Sequence, residues 1–174
     1  MRLFIALELP GPVRRAMAGD TEPLRPLCPR ARFVPEENYH LTLVFLGETD
    51  PGRLPAVIEA MDHCPSPAIP LTAGELGRFG ETLWREVRGG GDLYSLQRRL
   101  SRELGERGFA LEKRAYVPHL TLARRFRLPD DPAPPPMPER SFMAGAMALL
   151  RSDPGQHGMI YTPVYRMHLD QKKN

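Results

Sequence analysis

The chain has 174 residues, which is enough for one domain that buries a core of its own without disulfides or structural metals. Its 24 basic and 21 acidic residues leave a net charge of +3, so the composition excludes a general polycation and any anionic partner must be bound locally. The only two cysteines, Cys28 and Cys64, exclude a disulfide framework and favour a reducing, cytoplasmic compartment.

The first half of the chain predicts three strands and a helix. Leu3, Ile5, Leu7 and Leu9 alternate with other residues, which predicts a strand with one strongly apolar face, too short for a signal peptide or a membrane span. After a proline-rich connection, strands are predicted at residues 31–34 and 40–46. A helix follows, because an apolar stripe repeats at helical spacing at Leu54, Val57, Ile58 and Met61.

The second half predicts two strands in residues 69–87, then a helix with Asp92 as its N-cap, a strand that contains His119, and two further strands in residues 141–169. The apolar stripe of that helix is formed by Leu93, Leu96, Leu100 and Leu104. The proline-rich stretch 128–140 is expected to be a stiff exposed loop. We therefore expect an α+β fold with two similar lobes, each a mostly antiparallel sheet backed by helices, in a single domain over residues 1–174.

The tetrapeptide HLTL occurs twice, beginning at His40 and at His119. Side chains alternate along a strand, so His40 and Thr42 should share one face while Leu41, Leu43 and Phe45 share the other. His119 and Thr121 obey the same rule. If an approximate two-fold axis relates the lobes, both polar faces meet across a central cleft and present two imidazoles and two hydroxyls to one ligand.

This quartet suits the cleavage of a phosphate ester. A neutral imidazole can take a proton from water while a protonated one gives a proton to the leaving oxygen. Threonine hydroxyls can donate hydrogen bonds to the non-bridging phosphate oxygens. Zinc sites place histidines at i and i+4 on a helix or among carboxylates, whereas threonine is a poor zinc ligand, so we expect no metal and no cofactor.

Further candidates surround the second motif. Arg125 should share the face of His119, and Arg124 should point away unless a bulge reverses the two; either guanidinium could hold a phosphate. Phe33, Trp84, Tyr116 and Tyr161 are aromatic side chains that could stack a base or pack in the core.

The paired HLTL motifs, with FLGE after the first and with PH and AR flanking the second, resemble the 2H phosphoesterase superfamily. LFIALELP, LGRFGETLW and LLRSDPGQHGMIYTPVYRMHL extend the resemblance over nearly the whole chain, which looks like the bacterial and archaeal RNA 2′,3′-cyclic phosphodiesterases, historically called 2′-5′ RNA ligases.

The resemblance implies a bilobal fold with a V-shaped cleft and metal-independent opening of a terminal 2′,3′-cyclic phosphate to a 2′-phosphate. It assigns His40 as the proton donor and His119 as the proton acceptor, and it implies a weak reverse reaction that joins RNA ends through a 2′-5′ bond. The expected partners are RNA ends or cyclic nucleotides, with no membrane and no protein partner, so a monomer is expected.

Two alternatives remain open at this stage. The chain could act on a small cyclic nucleotide or an ADP-ribose cyclic phosphate, or it could bind RNA or a nucleotide without turnover. Two groups that titrate near neutrality favour an enzyme, because pure binding is served as well by lysine or arginine.

Overall fold

The computed structural model describes residues 1–128 and 134–170 and has the α+β architecture expected from the sequence. Residues 129–133 of the predicted proline-rich loop lie outside the described part. The helices are α1 (Gly11–Thr21), α2 (Leu54–Asp62) and α3 (Gly91–Glu106), with short 3-10 turns at Glu22–Leu24, Glu36–Asn38 and Pro51–Arg53. The strands are β1 (Arg2–Glu8), β2 (Arg32–Phe33), β3 (His40–Glu48), β4 (Ile69–Phe79), β5 (Thr82–Gly89), β6 (His119–Arg124), β7 (Arg140–Ala144), β8 (Ala146–Gly155) and β9 (Gly158–His168).

The strands form two antiparallel sheets, one for each lobe. Four strands in the order β3-β1-β8-β9 form the first sheet, and five in the order β2-β6-β5-β4-β7 form the second. The lobes are therefore not the two halves of the chain: β8 and β9 return to pair beside β1, and β2 leaves the N-terminal half to pair with β6. The two HLTL strands, β3 and β6, lie in different sheets.

The three helices pack against the two sheets. Helix α1 is tied to the second sheet, because Asp20 accepts hydrogen bonds from the fully buried Arg85 of β5, at 2.9 Å, and from Arg140 of β7. Although burial alone would raise the pKa of Asp20, the bonds from Arg140 and Arg85 lower it. Helix α2 lies against β9 of the first sheet, and helix α3 lies against β3 of the first sheet and β5 of the second.

Helix α3 buries the predicted stripe of Leu93, Leu96, Leu100 and Leu104 completely. Its start differs from the expectation. Gly90 is the N-cap residue and the helix begins at Gly91, so Asp92 lies in the first turn, where its negative charge faces the positive end of the helix dipole instead of capping it.

Strand β1 is apolar on both faces, where the sequence predicted one. Leu3, Ile5 and Leu7 join the main core, which draws on both sheets. Phe4 and Ala6 lie on the opposite face in a second cluster with Ala148 and Leu150 of β8. On this second face, Phe4 packs against the ring of His40 from the first HLTL motif. In the described part of the chain, no helix combines the length and the apolar character needed to span a membrane.

Candidate active site

Each motif histidine is held by the same local hydrogen bond. His40 Nδ1 lies 2.6 Å from the carbonyl oxygen of Asn38, and His119 Nδ1 lies 2.7 Å from that of Val117. A carbonyl oxygen only accepts, so each Nδ1 carries the hydrogen. This fixes the tautomer and leaves both Nε2 atoms to accept or donate a proton.

Both strands contain a β-bulge at the same position of the repeat. In β3, Ala6 pairs with Thr42 and Ile5 with Val44, so Leu43 is an extra residue. In β6, Trp84 pairs with Thr121 and Leu83 with Ala123, so Leu122 is an extra residue. Two consecutive apolar residues are therefore buried after each threonine, and the next residue returns to the face of the histidine.

The bulges correct two of the directions predicted from simple alternation. Phe45 pairs with Phe4 on the face of His40, not on the opposite face with Leu41, and 54% of its surface is exposed. Arg124, not Arg125, emerges on the face of His119. Arg125 follows the strand with a φ of 54°, in the left-handed region.

The structure brings the two motifs together. Cα atoms of β3 and β6 approach within 8 Å, although the strands belong to different sheets. The Tyr116 hydroxyl donates a 2.9 Å hydrogen bond to the carbonyl oxygen of Thr42, which ties the segment before β6 to β3. The two motifs therefore lie on neighbouring strands of different sheets, close enough for the charge of His119 to act on His40. The space between them is the candidate cleft.

His40 lies in an aromatic corner that keeps it neutral. Its ring centroid is 4.8 Å from that of Phe4 and 5.1 Å from that of Tyr161. Burial lowers the pKa of His40 to about 4, the bond to the Asn38 carbonyl offsets part of this, and the charge of His119 lowers it further. At pH 7 the His40 imidazole is neutral in the free protein.

His119 has a different aromatic neighbourhood. Its ring centroid is 5.4 Å from that of Phe79 and 6.0 Å from that of Trp84, both edge-on. Neither the HLTL repeat nor strand alternation placed Phe4, Phe45 or Phe79 at the site. The strand alternation of β1 could have placed Phe4 on the polar face, but Phe45 and Phe79 depend on bulges and on the partner strand.

The predicted aromatic candidates fall into three environments. Phe33 pairs with Ala123 on the core side of the second sheet, and its ring packs edge-on against Phe126, so it does not face His119. Tyr116 is a tie between the motif strands and lies edge-on to Tyr94. Tyr161 and Trp84 are the two of the four candidates that lie beside a motif histidine, Tyr161 beside His40 and Trp84 beside His119.

A separate cavity of about 730 Å³ opens at the end of β1 and is lined by residues that include Glu8, Asp92 and Arg166. Neither motif histidine lines it, and its carboxylates disfavour an anion. Across residues 1–128 and 134–170, no group of three histidine, cysteine or acidic side chains is arranged to hold a metal ion. The two neighbouring HLTL motifs are therefore the candidate site.

The chain is similar to known proteins along most of its length. A family model described as the 2'-5' RNA ligase superfamily matches residues 14–156. The RNA 2',3'-cyclic phosphodiesterase of Geobacillus stearothermophilus is 32% identical over 131 residues, which cover 71% of this chain and 42% of that protein, so the match spans less than half of the relative. The RNA 2',3'-cyclic phosphodiesterase of Thermotoga maritima is 32% identical over 137 residues, covering 75% of this chain and 73% of that protein. The crystal structure of E. coli LigT complexed with 3'-AMP superposes with a TM-score of 0.83 and 28% identity, covering 98% of each chain.

Proposed function

The chain belongs to the 2'-5' RNA ligase superfamily, and on that premise we propose that it hydrolyses the 2′,3′-cyclic phosphate of an RNA end to a 2′-phosphate. The observation that carries the proposal is the pair of histidines with equivalent Nδ1 bonds, which leave two Nε2 atoms for proton transfer in one cleft. The relatives named RNA 2',3'-cyclic phosphodiesterase support the substrate class.

In the proposed reaction, His119 Nε2 takes a proton from water as the water oxygen attacks phosphorus. The bond from phosphorus to the 3′ oxygen breaks, and His40 gives its Nε2 proton to that oxygen. Thr42 and Thr121 donate hydrogen bonds to the non-bridging oxygens, and Arg124 offers a cation on the same face. The products are a 2′-phosphate and a free 3′ hydroxyl, so atoms and charges balance without a metal or cofactor.

The role of His40 as the acid requires substrate. In the free protein its pKa is lowered to about 4, so Nε2 carries no proton to give at pH 7. A cyclic phosphate carries a negative charge, and its arrival beside His40 favours the protonated form. The bound substrate therefore raises the pKa of His40, and His40 can donate a proton only when the site is occupied.

Three further properties belong to the same proposal. A 5′ hydroxyl in the place of water would attack phosphorus and form a 2′-5′ bond as the bond to the 3′ oxygen breaks, which is the weak ligation. By microscopic reversibility the two histidines exchange roles when that 2′-5′ bond is opened again to the cyclic phosphate. One hydrophobic cluster draws on both sheets, which supports a single domain over residues 1–174. We also propose that the protein is a monomer in the cytoplasm.

The test compares three substrates in parallel: an oligonucleotide with a 2′,3′-cyclic phosphate end, a 2′,3′-cyclic mononucleotide and an ADP-ribose cyclic phosphate. His40→Ala and His119→Ala should each lower kcat/KM by about 10²- to 10⁴-fold, and the double variant by less than the product because the two act as a unit. His157→Ala, in the turn between β8 and β9, is the control and should retain activity.

A substrate whose 3′ leaving group needs no proton separates the two roles. It should restore His40→Ala and not His119→Ala. Rescue of His119→Ala alone would reverse the assignment. Full activity of either single variant on the natural substrate would remove the two-histidine site, and binding without turnover by the wild-type protein would favour the binding module.

A further inference from the structure

We infer that Phe79 and Trp84, the aromatic platform beside His119, bind the base of the nucleotide that carries the cyclic phosphate. The inference rests on the proposed function, because it takes the phosphate to lie between the two motifs. It adds a binding site for the nucleobase and so specifies what the cleft recognises apart from the phosphate.

The platform is built into the β4–β5 hairpin. Trp84 of β5 pairs in register with Gly77 of β4. A Cβ at position 77 would meet three indole atoms at 2.3–2.7 Å, so only glycine lets the indole lie flat across the neighbouring strand. The Phe79 ring then stacks on the indole, with centroids 4.7 Å apart and planes 26° apart.

This arrangement is unfavourable for stability at three points. Phe79 leaves 50% of its surface in water although it is a large apolar side chain. Gly77 weakens the middle of a strand. The indole N–H of Trp84 is buried and has no hydrogen-bond partner among the described residues. Local departures of this kind concentrate at functional sites, where binding and not folding explains them.

The position of the platform fits a base that is linked to the reacting phosphate. Trp84 is the cross-strand partner of Thr121, and the Phe79 ring lies 5.4 Å from the ring of His119. Only the ribose separates the cyclic phosphate from its base, so a phosphate held by the second motif places the base beside this platform. Stacking on an exposed aromatic face accepts every base, so the platform recognises a nucleotide without fixing its sequence.

The first lobe offers a matched control. Phe45 is equally exposed and follows His40 at the position that Arg124 has after His119. Its ring contacts Phe4 in a tilted arrangement at 6.0 Å, and among the described residues no aromatic ring stacks on it. Phe45→Ala therefore removes the same side chain from the other side of the cleft without removing the platform.

The kinetic experiment varies the base and the platform together. The substrates are adenosine 2′,3′-cyclic phosphate and its base-free analogue, 1-O-methylribose 2,3-cyclic phosphate. Phe79→Ala should lower kcat/KM for the adenosine substrate by about 5- to 150-fold and leave the base-free substrate unchanged. Phe79→Tyr should restore the preference for the base, and Phe45→Ala should keep it.

Binding gives a second measurement that does not depend on turnover. Trp84 is the only tryptophan of the chain, so its fluorescence reports directly on the platform. Adenosine 2′-phosphate should quench it and should bind more weakly to Phe79→Ala, by the same factor as in the kinetics.

The outcomes separate this inference from the proposed function. An equal loss on both substrates in Phe79→Ala would overturn the inference, since the ring would then act only by positioning His119. A loss of base preference in Phe45→Ala instead would overturn it as well. Quenching by adenosine 2′-phosphate without hydrolysis of any substrate would support the platform as a base-binding site and refute the proposed function.

Discussion

Binding of a phosphate in the cleft should return the pKa of His40 to at least its ordinary value. In the free protein burial lowers it from 6.5 to about 4, which corresponds to about 3 kcal/mol against the charged form. Two opposite unit charges about 4 Å apart attract each other by about 4 kcal/mol at an effective dielectric constant of about 20. This attraction exceeds the free energy by which burial disfavours the charged imidazole. The occupied site therefore holds a protonated His40 near neutral pH.

The assay follows the imidazole resonances by NMR between pH 3 and pH 9, with and without saturating adenosine 2′-phosphate. The His40 signal is assigned by its absence in His40→Gln, and His63 and His157, which lie outside the cleft, are the internal reference. The reasoning is refuted if the His40 pKa stays well below its ordinary value in the complex, because His40 could not then supply the proton at neutral pH.

The lowered pKa of His40 also predicts how the free energy of unfolding depends on pH. Between pH 6.5 and about 4 the unfolded chain binds a proton at His40 that the folded protein does not, so the free energy of unfolding falls as the pH is lowered through that window. The contribution is at most about 3 kcal/mol. Denaturant unfolding at several pH values should show this slope in the wild-type protein and a smaller one in His40→Gln.

Three further predictions concern the remaining groups of the site. Arg124→Ala should lower kcat/KM by at least about 10-fold, as expected for a lost charge-assisted bond to phosphate, whereas Arg125→Ala should remain near the wild-type rate; the reverse order would contradict the bulge at Leu122. Thr42→Val and Thr121→Val should each slow turnover by about 10- to 1,000-fold with an unchanged melting temperature, and near-normal rates in both would show that the hydroxyls do not face the phosphate. Turnover should continue in EDTA, and a loss that a divalent ion restores would revive the metal alternative.

The sequence by itself located most of the elements and selected the four central residues. It did not predict helix α1, which lies in the proline-rich connection, and it predicted one strand where β7 and β8 are separate. Strand alternation and helical stripes are local patterns, so they located β1, β3, α2, α3 and β6 and the leucines that α3 buries. The repeat of HLTL is likewise local, and it was enough to select His40 and His119, because a shared motif in two similar contexts implies a shared site.

The tertiary structure decided the side-chain directions that depend on pairing with a neighbouring strand. An extra residue in a strand is visible only against its neighbour, so the bulges at Leu43 and Leu122, and with them the directions of Phe45 and Arg124, could not be obtained from alternation. The pairing of β2 with β6 placed Phe33 against the core. The low pKa of His40 arises from burial against Phe4 and Tyr161, side chains brought together from opposite ends of the chain, and no local pattern contains such an environment.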